Sequence, residues 1–390
     1  MEGHTERGRV GAMPPPPPGM LITGLDDPCD TYPQPQVGRE LPGPEWSVAW
    51  NELAVRSKAP PFMHPGWLRC WWPAFGTGEL EIRTLWRKGQ LTAVLPLGRR
   101  RGQVESTANY HTPVFGIVAE DQAAAASMAR ELFRDAPAQV SMTTVAPEET
   151  TLRVCRDAAE EAGFRVVTRP HLLSPYVELN YGWNEYKRTL HSHLLRNLRR
   201  GRKQLEEQGP LTVEIVSGGA LLDERLDQAM QVEASGWKGK NGSAIQSRSH
   251  TRWFYREAAH WAAEQGVLRL YLLRLSGKVL TMCFTLQQHG VCYMLKGGYD
   301  EAFKRFSPGN ILTEALIEDC ANRGITRVEM NGEADTYKLN WATGTRQYMR
   351  FEAFAPTAAG RLAWAGFRYG RPITSRVRQA LKLQQPGHRQ

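Results

Sequence analysis

One segment of the sequence combines residue types suited to holding an anion. It reads KGGYDEAFKRFSPGN and runs from residue 296 to residue 310. Ser307 is placed to cap a helix, and Pro308 suits the first helical position, where no N–H is needed. The backbone N–H groups of Gly309 and Asn310 are then predicted to point outward without a carbonyl partner. Such a helix start can bind an anion such as a diphosphate.

Two ionisable residues stand just before this helix start. Lys296 could supply a cation and Asp300 a base for proton transfer. Each also has a simpler interpretation, since a lysine at a strand end can extend to solvent and an aspartate can cap the N–H groups of a turn. The sequence leaves both interpretations open.

Two further groups of residues are candidates for contacting a substrate. Trp237, Lys238 and Lys240 lie in a glycine-bearing loop, where an aromatic ring beside two cations could hold a sugar or a phosphate. Glu333 and Asp335 follow the predicted strand ITRVEMN and could select a cationic acceptor. We therefore expect both groups to border the site.

The composition excludes several classes of protein. No run of 18 apolar residues occurs, so no membrane-spanning segment is expected. The six cysteines form no CxxC pair, and the histidines show no metal spacing, which argues against zinc or any other metal and favours the reducing cytoplasm. The common GxSxG, P-loop and HExxH motifs are absent, which removes the usual hydrolase, NTPase and metalloprotease interpretations.

The formal net charge of +9 is unevenly distributed. Residues 361–390 carry seven Arg and Lys residues and no acidic residue, and a second basic stretch covers residues 193–205. Such segments can bind nucleic acid, anionic lipid or phosphorylated substrates. The alternative is a solvated helix face and a flexible tail.

The chain of 390 residues is long enough for two domains with separate cores. A Pro-rich leader, residues 1–43, is predicted to be disordered. Residues 44–172 and 173–356 then repeat one order: two helices, a three-stranded meander, helix, strand, helix, strand. This predicts a tandem duplication of a mixed-sheet α/β unit, followed by a basic tail, residues 357–390.

Within these halves, three assignments are specific enough to test. The third strand of the first meander is predicted around residues 113–118. FRVVTRP and SPYVELN are predicted as two separate strands on either side of residue 172. One long basic helix is predicted from residue 183 to residue 208.

With this order of elements, the chain resembles the GNAT superfamily of acyl-CoA N-acyltransferases in its tandem form. More narrowly, it resembles the CelD-like acetyltransferases associated with cellulose and exopolysaccharide biosynthesis, which are related to the FemABX peptidyltransferases. The resemblance covers about residues 44–355. It is carried by PPFMHPGWLRCWW (60–72), LPLG (95–98), SPYVEL, the basic helix, GWKGKNGSAI (236–245), the 296–310 segment and YKLNW (337–341). The usual GNAT pyrophosphate loop is absent, and only Arg305 and Gly309 lie near its position.

The resemblance implies a catalytic second half and a degenerate first half that shapes the acceptor cleft. The donor would be acetyl-CoA or another acyl-CoA, bound by Lys296, Arg305, Ser307, Gly309 and Asn310. Asp300, Tyr337 and Lys338 would be catalytic: Asp300 as base, Tyr337 as the acid that protonates the departing thiolate, and Lys338 near the oxyanion. Tyr337 could instead pack against the sheet, and Lys338 could be an ordinary surface lysine. The acceptor would be an amine on a sugar, a nucleotide-sugar or a surface-polymer precursor.

Two other functions remain open. A FemABX-like enzyme would take its acyl group from aminoacyl-tRNA, with RNA phosphates on the basic helix at Arg196, Arg199, Arg200, Arg202 and Lys203. The chain lacks the coiled-coil insertion that some tRNA-using relatives carry. Alternatively, a non-catalytic binding module in polysaccharide synthesis could touch an anionic membrane through the aromatic, basic tail.

Overall fold

The computed structural model describes residues 36–147, 150–235 and 245–370. Strand β1 (Gln36–Gly38) pairs with β2 along Ile82–Thr84, so the predicted leader ends earlier than residue 43. Helix α11 (Ala358–Ala365) follows the last strand, so the predicted tail begins with an ordered helix.

The first half follows the predicted order in most elements. Asp121 caps α3 by accepting a hydrogen bond from the N–H of Ala124 at 2.8 Å, and α1 and α2 both begin at a proline, as their sequences predict. The elements are α1 (Pro44–Arg56), α2 (Pro65–Phe75), β2 (Glu79–Arg87), β3 (Gln90–Arg100), β4 (Gln103–Ser106), β5 (Val118–Ala119), α3 (Gln122–Arg134), β6 (Gln139–Val145), α4 (Thr150–Glu161) and β7 (Arg165–Glu178).

The second half repeats this order with additional helices. Its elements are α5 (Gly182–Thr189), α6 (Ser192–Glu206), β8 (Leu211–Val216), α7 (Leu222–Ser235), α8 (Ser249–Glu264), β9 (Leu268–Leu275), β10 (Lys278–Gln288), β11 (Val291–Tyr299), a 3-10 turn (Glu301–Phe306), α9 (Pro308–Asn322), β12 (Arg327–Glu329), α10 (Thr336–Leu339) and β13 (Gly344–Phe354).

The predicted meander of β9, β10 and β11 is confirmed. Ser276-Gly277 and His289-Gly290 form its two-residue turns, and all four residues have positive φ. Two successive residues with positive φ define a type I′ turn, whose twist matches the right-handed twist of the strands. Each turn is a residue followed by glycine, and this pattern in the sequence identifies both turns.

All strands join one mixed sheet, and the two halves exchange their last strands at its centre. The order is β1-β2-β3-β4-β6-β13-β7-β12-β11-β10-β9-β8, with β5 paired separately to β3. Strand β13, from the second half, pairs with β6 of the first half, while β7, from the first half, pairs with β12 of the second. The two exchanged strands also pair with each other over eleven residues of β13. Each half is thus completed by the other.

Three sequence assignments were wrong. The two strands predicted around residue 172 are one strand, β7, in which Pro170 lies beside a register shift opposite Met349 and so does not interrupt the pairing. The predicted domain boundary therefore falls inside a strand. The third strand of the first meander is β4, before the predicted position. The long basic helix is two helices separated at Leu190, whose extended backbone (ψ 142°) lets α5 and α6 turn separate apolar faces to the core.

The two faces of the second-half sheet bury different elements. Helices α5, α6 and α9 cover one face with residues such as Leu198 and Ile311, and Trp341, which follows α10, belongs to the same core. Helices α7 and α8 cover the other face and also pack on the first half, where the Trp67 ring lies 5.1 Å from Phe254. We call the contact that α7 and α8 make with the first half, around Trp67 and Phe254, the seam. Within the described residues, no helix is both long and apolar enough to cross a bilayer.

Candidate active site

A wedge opens in the sheet between β11 and β12. The two strands run parallel and are paired only as far as Tyr293 and Glu329, after which β12 ends and β11 continues to Tyr299. Asn331, with positive φ, turns the chain away and donates from Nδ2 to the carbonyl of Met294 at 3.1 Å. Beyond this point β11 keeps its pairing with β10 but no longer pairs with β12.

A β-bulge lies in β11 where the strand pairs with β10 and has passed the end of β12. Phe284 of β10 faces Lys296, whereas the next residue of β10, Thr285, faces Met294, so Leu295 is the extra residue. Bulges bend a strand and redirect the side chains that follow them. Here the redirected side chain is Lys296, one of the predicted site residues.

A cavity of about 420 Å³ lies where helices α6 and α9 both begin. We call it the helix-start cavity. It is lined by the first turns of α6, by Ser307 and Asn310 at the start of α9, and by Asn340. His191 and Ser307 are the N-cap residues of α6 and α9, and neither side chain accepts a hydrogen bond from the first turn of its helix. Two positive helix-dipole ends therefore meet at one cavity.

The geometry at the start of α9 differs from the sequence prediction in two respects. Ser307 occupies the N-cap position but adopts a left-handed backbone (φ 54°), and its side chain does not cap the helix. The N–H of Asn310, predicted to have no carbonyl partner, donates to the carbonyl of Ser307 at 3.0 Å. The side chain of Asn310 is also held, since its Oδ1 accepts from Nε1 of the buried Trp341 at 3.1 Å.

The predicted donor-binding residues divide between two places. Arg305, exposed beside the ring of Phe306, lies just before α9, Ser307 is the N-cap of α9, and Gly309 and Asn310 are in its first turn. Lys296 instead lies at the seam, with its Nζ 5.1 Å from the centre of the Tyr110 ring. Four of the five residues are therefore brought together, and the fifth is not.

Asp300 has the geometry of a turn cap. Its carboxylate accepts from the N–H of Ala302 at 3.0 Å and from Nζ of Lys278 at 2.8 Å. Partial burial acts to raise the pKa of Asp300, but the hydrogen bonds from Lys278 and Ala302 outweigh it and lower the pKa. The group is therefore an ionised carboxylate at neutral pH.

Lys338 is buried rather than on the surface, with 8% exposure. Its Nζ donates to the carbonyls of Asn331 at 2.7 Å and Glu333 at 3.0 Å, and lies 3.5 Å from the carboxylate of Asp335. This ammonium group holds the loop that borders the wedge. Tyr337 next to it is half exposed, and desolvation raises the pKa of its phenol.

The remaining predicted substrate residues are only partly described. The side chains of Glu333 and Asp335 are exposed beside the wedge. Trp237, Lys238 and Lys240 lie outside the described residues.

Sequence reasoning missed a group of polar residues at the seam. We call it the seam cluster: Tyr110, His111, Glu233, Tyr255 and Lys296. The His111 ring is 2% exposed, and its Nδ1 makes a 2.9 Å hydrogen bond with the hydroxyl of Tyr255. Burial, with smaller contributions from the charges of nearby cations, lowers the pKa of His111 to about 3, so the ring is neutral.

Glu233 brings a carboxylate into the same place. It is 1% exposed, and its Oε2 accepts from the N–H of Ile245 at 2.7 Å. A Cβ atom on Gly298 would lie 2.6 Å from the Cα of Glu233, so α7 can approach β11 only because this residue is glycine. The Gly297-Gly298 pair was the one sequence signal for this close approach.

One protein family matches the part of the chain that contains the wedge and the helix-start cavity. Residues 192–339 match the family described as an acetyltransferase (GNAT) domain. No curated protein matches the sequence.

Three solved structures have a similar fold. The C-terminal domain (DUF2156) of a protein described as a lysylphosphatidylglycerol synthetase, from Agrobacterium fabrum, is 13% identical, with a TM-score of 0.53 over 82% of this chain and 94% of that one. FemX is 12% identical, with a TM-score of 0.53 over 77% and 95%. L-PGS from Bacillus licheniformis is 12% identical, with a TM-score of 0.53 over 85% and 98%.

At these identities the structural likeness establishes the fold, which is the expected mixed α/β architecture of two GNAT-like units. Residues 192–339 thus match the GNAT domain family, and the fold of the chain is similar to that of FemX. The expected resemblance to a GNAT domain is confirmed over these residues.

Proposed function

We propose that the protein is an N-acyltransferase that moves an acyl group from an acyl-CoA, in the first instance acetyl-CoA, to an amine. The observation that carries this proposal is the wedge between β11 and β12, which opens beside the start of α9. A single extended donor can then place its phosphates at the helix-start cavity and its thioester in the wedge. The domain match over residues 192–339 covers both features.

The phosphates would be held mainly by helix starts. The positive ends of α6 and α9 meet at the helix-start cavity, and the exposed Arg305 lies two residues before Ser307, which lines it. Backbone N–H groups and a helix dipole bind an anion without a fixed side-chain cation. This arrangement accounts for donor binding without the usual pyrophosphate loop.

The reaction needs one base and one acid. The amine nitrogen attacks the thioester carbon, the C–N bond forms as the C–S bond breaks, and the amine loses a proton while the thiolate gains one. Asp300 offers an ionised carboxylate and Tyr337 a protonated phenol, which are the states these roles require. Lys338, next to Tyr337 on α10, ties this helix to the loop of Asn331 and Glu333.

The narrower substrate assignment rests on the CelD-like resemblance. It favours an acceptor amine on a sugar, a nucleotide-sugar or a precursor of an extracellular polysaccharide, with the reaction in the cytoplasm. The shared fold of FemX and of L-PGS keeps other amine acceptors within the proposal.

One observation favours aminoacyl-tRNA as an alternative donor. Arg196, Arg199, Arg200 and Lys203 are exposed along one face of α6 at helical spacing, and none pairs with a carboxylate of the described residues. Arg202, by contrast, is bound to Glu314 at 3.1 Å. A basic stripe that begins at the donor cavity could follow a nucleic-acid backbone.

Release of free thiol from acetyl-CoA in the presence of an amine panel tests the proposal. Tyr337→Phe should lower kcat at least tenfold while acetyl-CoA still binds, because only the proton donor is lost. If no amine accelerates thiol release, aminoacyl-tRNA binding at two salt concentrations decides the alternative. Binding that weakens steeply with salt, and less steeply in Arg199→Gln/Arg200→Gln, would support tRNA.

A further inference from the structure

The seam cluster contains a buried polar atom without a partner. His111 uses Nδ1 for its hydrogen bond with Tyr255, whereas its Nε2 is buried and has no hydrogen-bond partner among the described residues. A buried ring nitrogen left in this state is unfavourable by about 1–3 kcal/mol. The site is therefore suited to a ligand that supplies the missing hydrogen bond.

Charged groups of both signs surround this nitrogen. The positive charges of Lys296 and Arg248 reach the His111 ring. Arg248 is exposed and makes no ion pair with a carboxylate of the described residues. The opposite sign comes from the buried carboxylate of Glu233, whose charge reaches the hydroxyls of Tyr110 and Tyr255.

The seam cluster lies on the opposite face of the sheet from the helix-start cavity. Tyr255 packs among the residues of the seam core, whereas Asn310 is anchored to Trp341 in the core of the other face. Lys296 directly follows the bulge in β11, beyond the last residue pair that β11 makes with β12, so the seam cluster lies next to the wedge. Two substrates can thus approach one reaction point from opposite sides.

We propose that the seam cluster binds the amine acceptor and that this acceptor also carries an oxyanion, either a carboxylate or a phosphate. The inference rests on the proposed acyl transfer. The ammonium group of the acceptor pairs with the carboxylate of Glu233. The oxyanion lies against Arg248 and Lys296, and His111 Nε2 completes a hydrogen bond to the ligand.

Both halves of the chain are needed for this site. Tyr110 and His111 come from the first half, and the other members come from α7, α8 and β11 of the second. The first half then contributes directly to acceptor recognition.

Pairs of amines that differ by one anionic group test whether the acceptor must carry an oxyanion. With acetyl-CoA as donor, kcat/KM is compared for glucosamine and glucosamine 6-phosphate, and for glycine methyl ester and glycine. We expect at least a tenfold preference for the anionic member of one pair, and the preferred pair identifies phosphate or carboxylate. Arg248→Gln/Lys296→Met should abolish the preference, while Arg252→Gln, an exposed arginine on the same helix, should retain it. Equal rates within both pairs would overturn the inference.

A spectroscopic measurement tests the site without turnover. In protein labelled with 15N-histidine, the Nε2 resonance of His111 is the one that is present in the wild type and absent from the His111→Gln variant. Addition of glucosamine 6-phosphate or glycine should shift that resonance in the wild type, and the shift should be lost in Arg248→Gln/Lys296→Met. A resonance that stays unmoved by both amines would contradict binding at the seam. Failure of acetyl-CoA to bind in calorimetry would instead contradict the proposed donor, so the two failures are distinguishable.

Discussion

Lys338 illustrates how one buried ammonium group supports the edge of the wedge. Its Nζ donates to two backbone carbonyls, those of Asn331 and Glu333. Lys338→Met fills similar volume but leaves both carbonyls without this donor. We expect the free energy of unfolding in urea to fall by about 1–3 kcal/mol.

The matched control is Lys304→Met, which removes an exposed lysine before α9. It should change the free energy of unfolding by less than about 0.5 kcal/mol. Equal stability of the two variants would show that Lys338 does not hold the loop.

The buried histidine His64 predicts a pH dependence of stability. Desolvation lowers the pKa of His64 to about 4, against 6.5 for an unperturbed histidine. Between these two values the unfolded chain binds a proton that the folded chain does not, so the free energy of unfolding falls as the pH drops. His64→Gln should reduce this loss of stability between pH 6.5 and pH 4, measured by urea unfolding at each pH. Identical pH profiles for wild type and variant would contradict a neutral, buried His64.

The sequence predicted where α9 starts better than it predicted the geometry of that start. Ser307, Gly309 and Asn310 were correctly placed at the start of α9, because proline favours the first helical position. The left-handed backbone of Ser307 was not predicted, since nothing in the Ser-Pro-Gly order indicates it. The hydrogen bond from the Asn310 N–H to the Ser307 carbonyl was not predicted either.

At the scale of elements, Gly201 sets the distance between α6 and the turn before α9. A Cβ atom on this residue would lie 2.3 Å from the carbonyl oxygen of Phe306. Gly201→Ala should therefore lower the free energy of unfolding by about 1–3 kcal/mol, although alanine is favoured in a helix by about 1 kcal/mol. It should also weaken acetyl-CoA binding in calorimetry, because α6 and α9 share the helix-start cavity.

Gln204→Ala provides the comparison for this prediction. Gln204 is exposed on the same helix, so its replacement should leave both stability and acetyl-CoA binding nearly unchanged. A Gly201→Ala variant as stable as Gln204→Ala would contradict the close contact.

Turn chemistry explains which elements the sequence identified. Ser276-Gly277 and His289-Gly290 mark β9–β11 because type I′ turns require residues that tolerate positive φ. Strand β7 was divided incorrectly because Pro170 is a strand breaker in isolation, whereas pairing with β13 accommodates it at a register shift. Pairing between strands that are far apart in the chain, such as β7 and β13, leaves no local signal in the amino-acid sequence.

The exchange of β7 and β13 determines the behaviour of the whole molecule. Because each half is completed by a strand of the other, neither half forms its sheet alone. We expect one cooperative unfolding transition in urea, with coincident midpoints from tryptophan fluorescence and far-ultraviolet circular dichroism. Two separate transitions would contradict mutual completion of the halves.

The seam cluster depends on the whole molecule, because it combines residues from both halves of the chain. Glu233, Tyr255 and Lys296 come from three separate elements of the second half, and His111 joins them from the first half. No spacing rule connects them, so only Lys296 was identified from the sequence. The repeated order of elements predicted the two halves but not the strand exchange that joins them.

The central claim is that the start of α9 holds the phosphates of an acyl-CoA, and calorimetric titration with acetyl-CoA tests it most directly. Wild-type protein and Asn322→Asp, altered at the far end of α9, should bind with a roughly micromolar Kd. Asn310→Asp keeps an oxygen for Trp341 but adds a negative charge at the helix-start cavity, and should weaken binding at least tenfold. Equal affinity of all three proteins, or no binding of acetyl-CoA to the wild type, would contradict the claim.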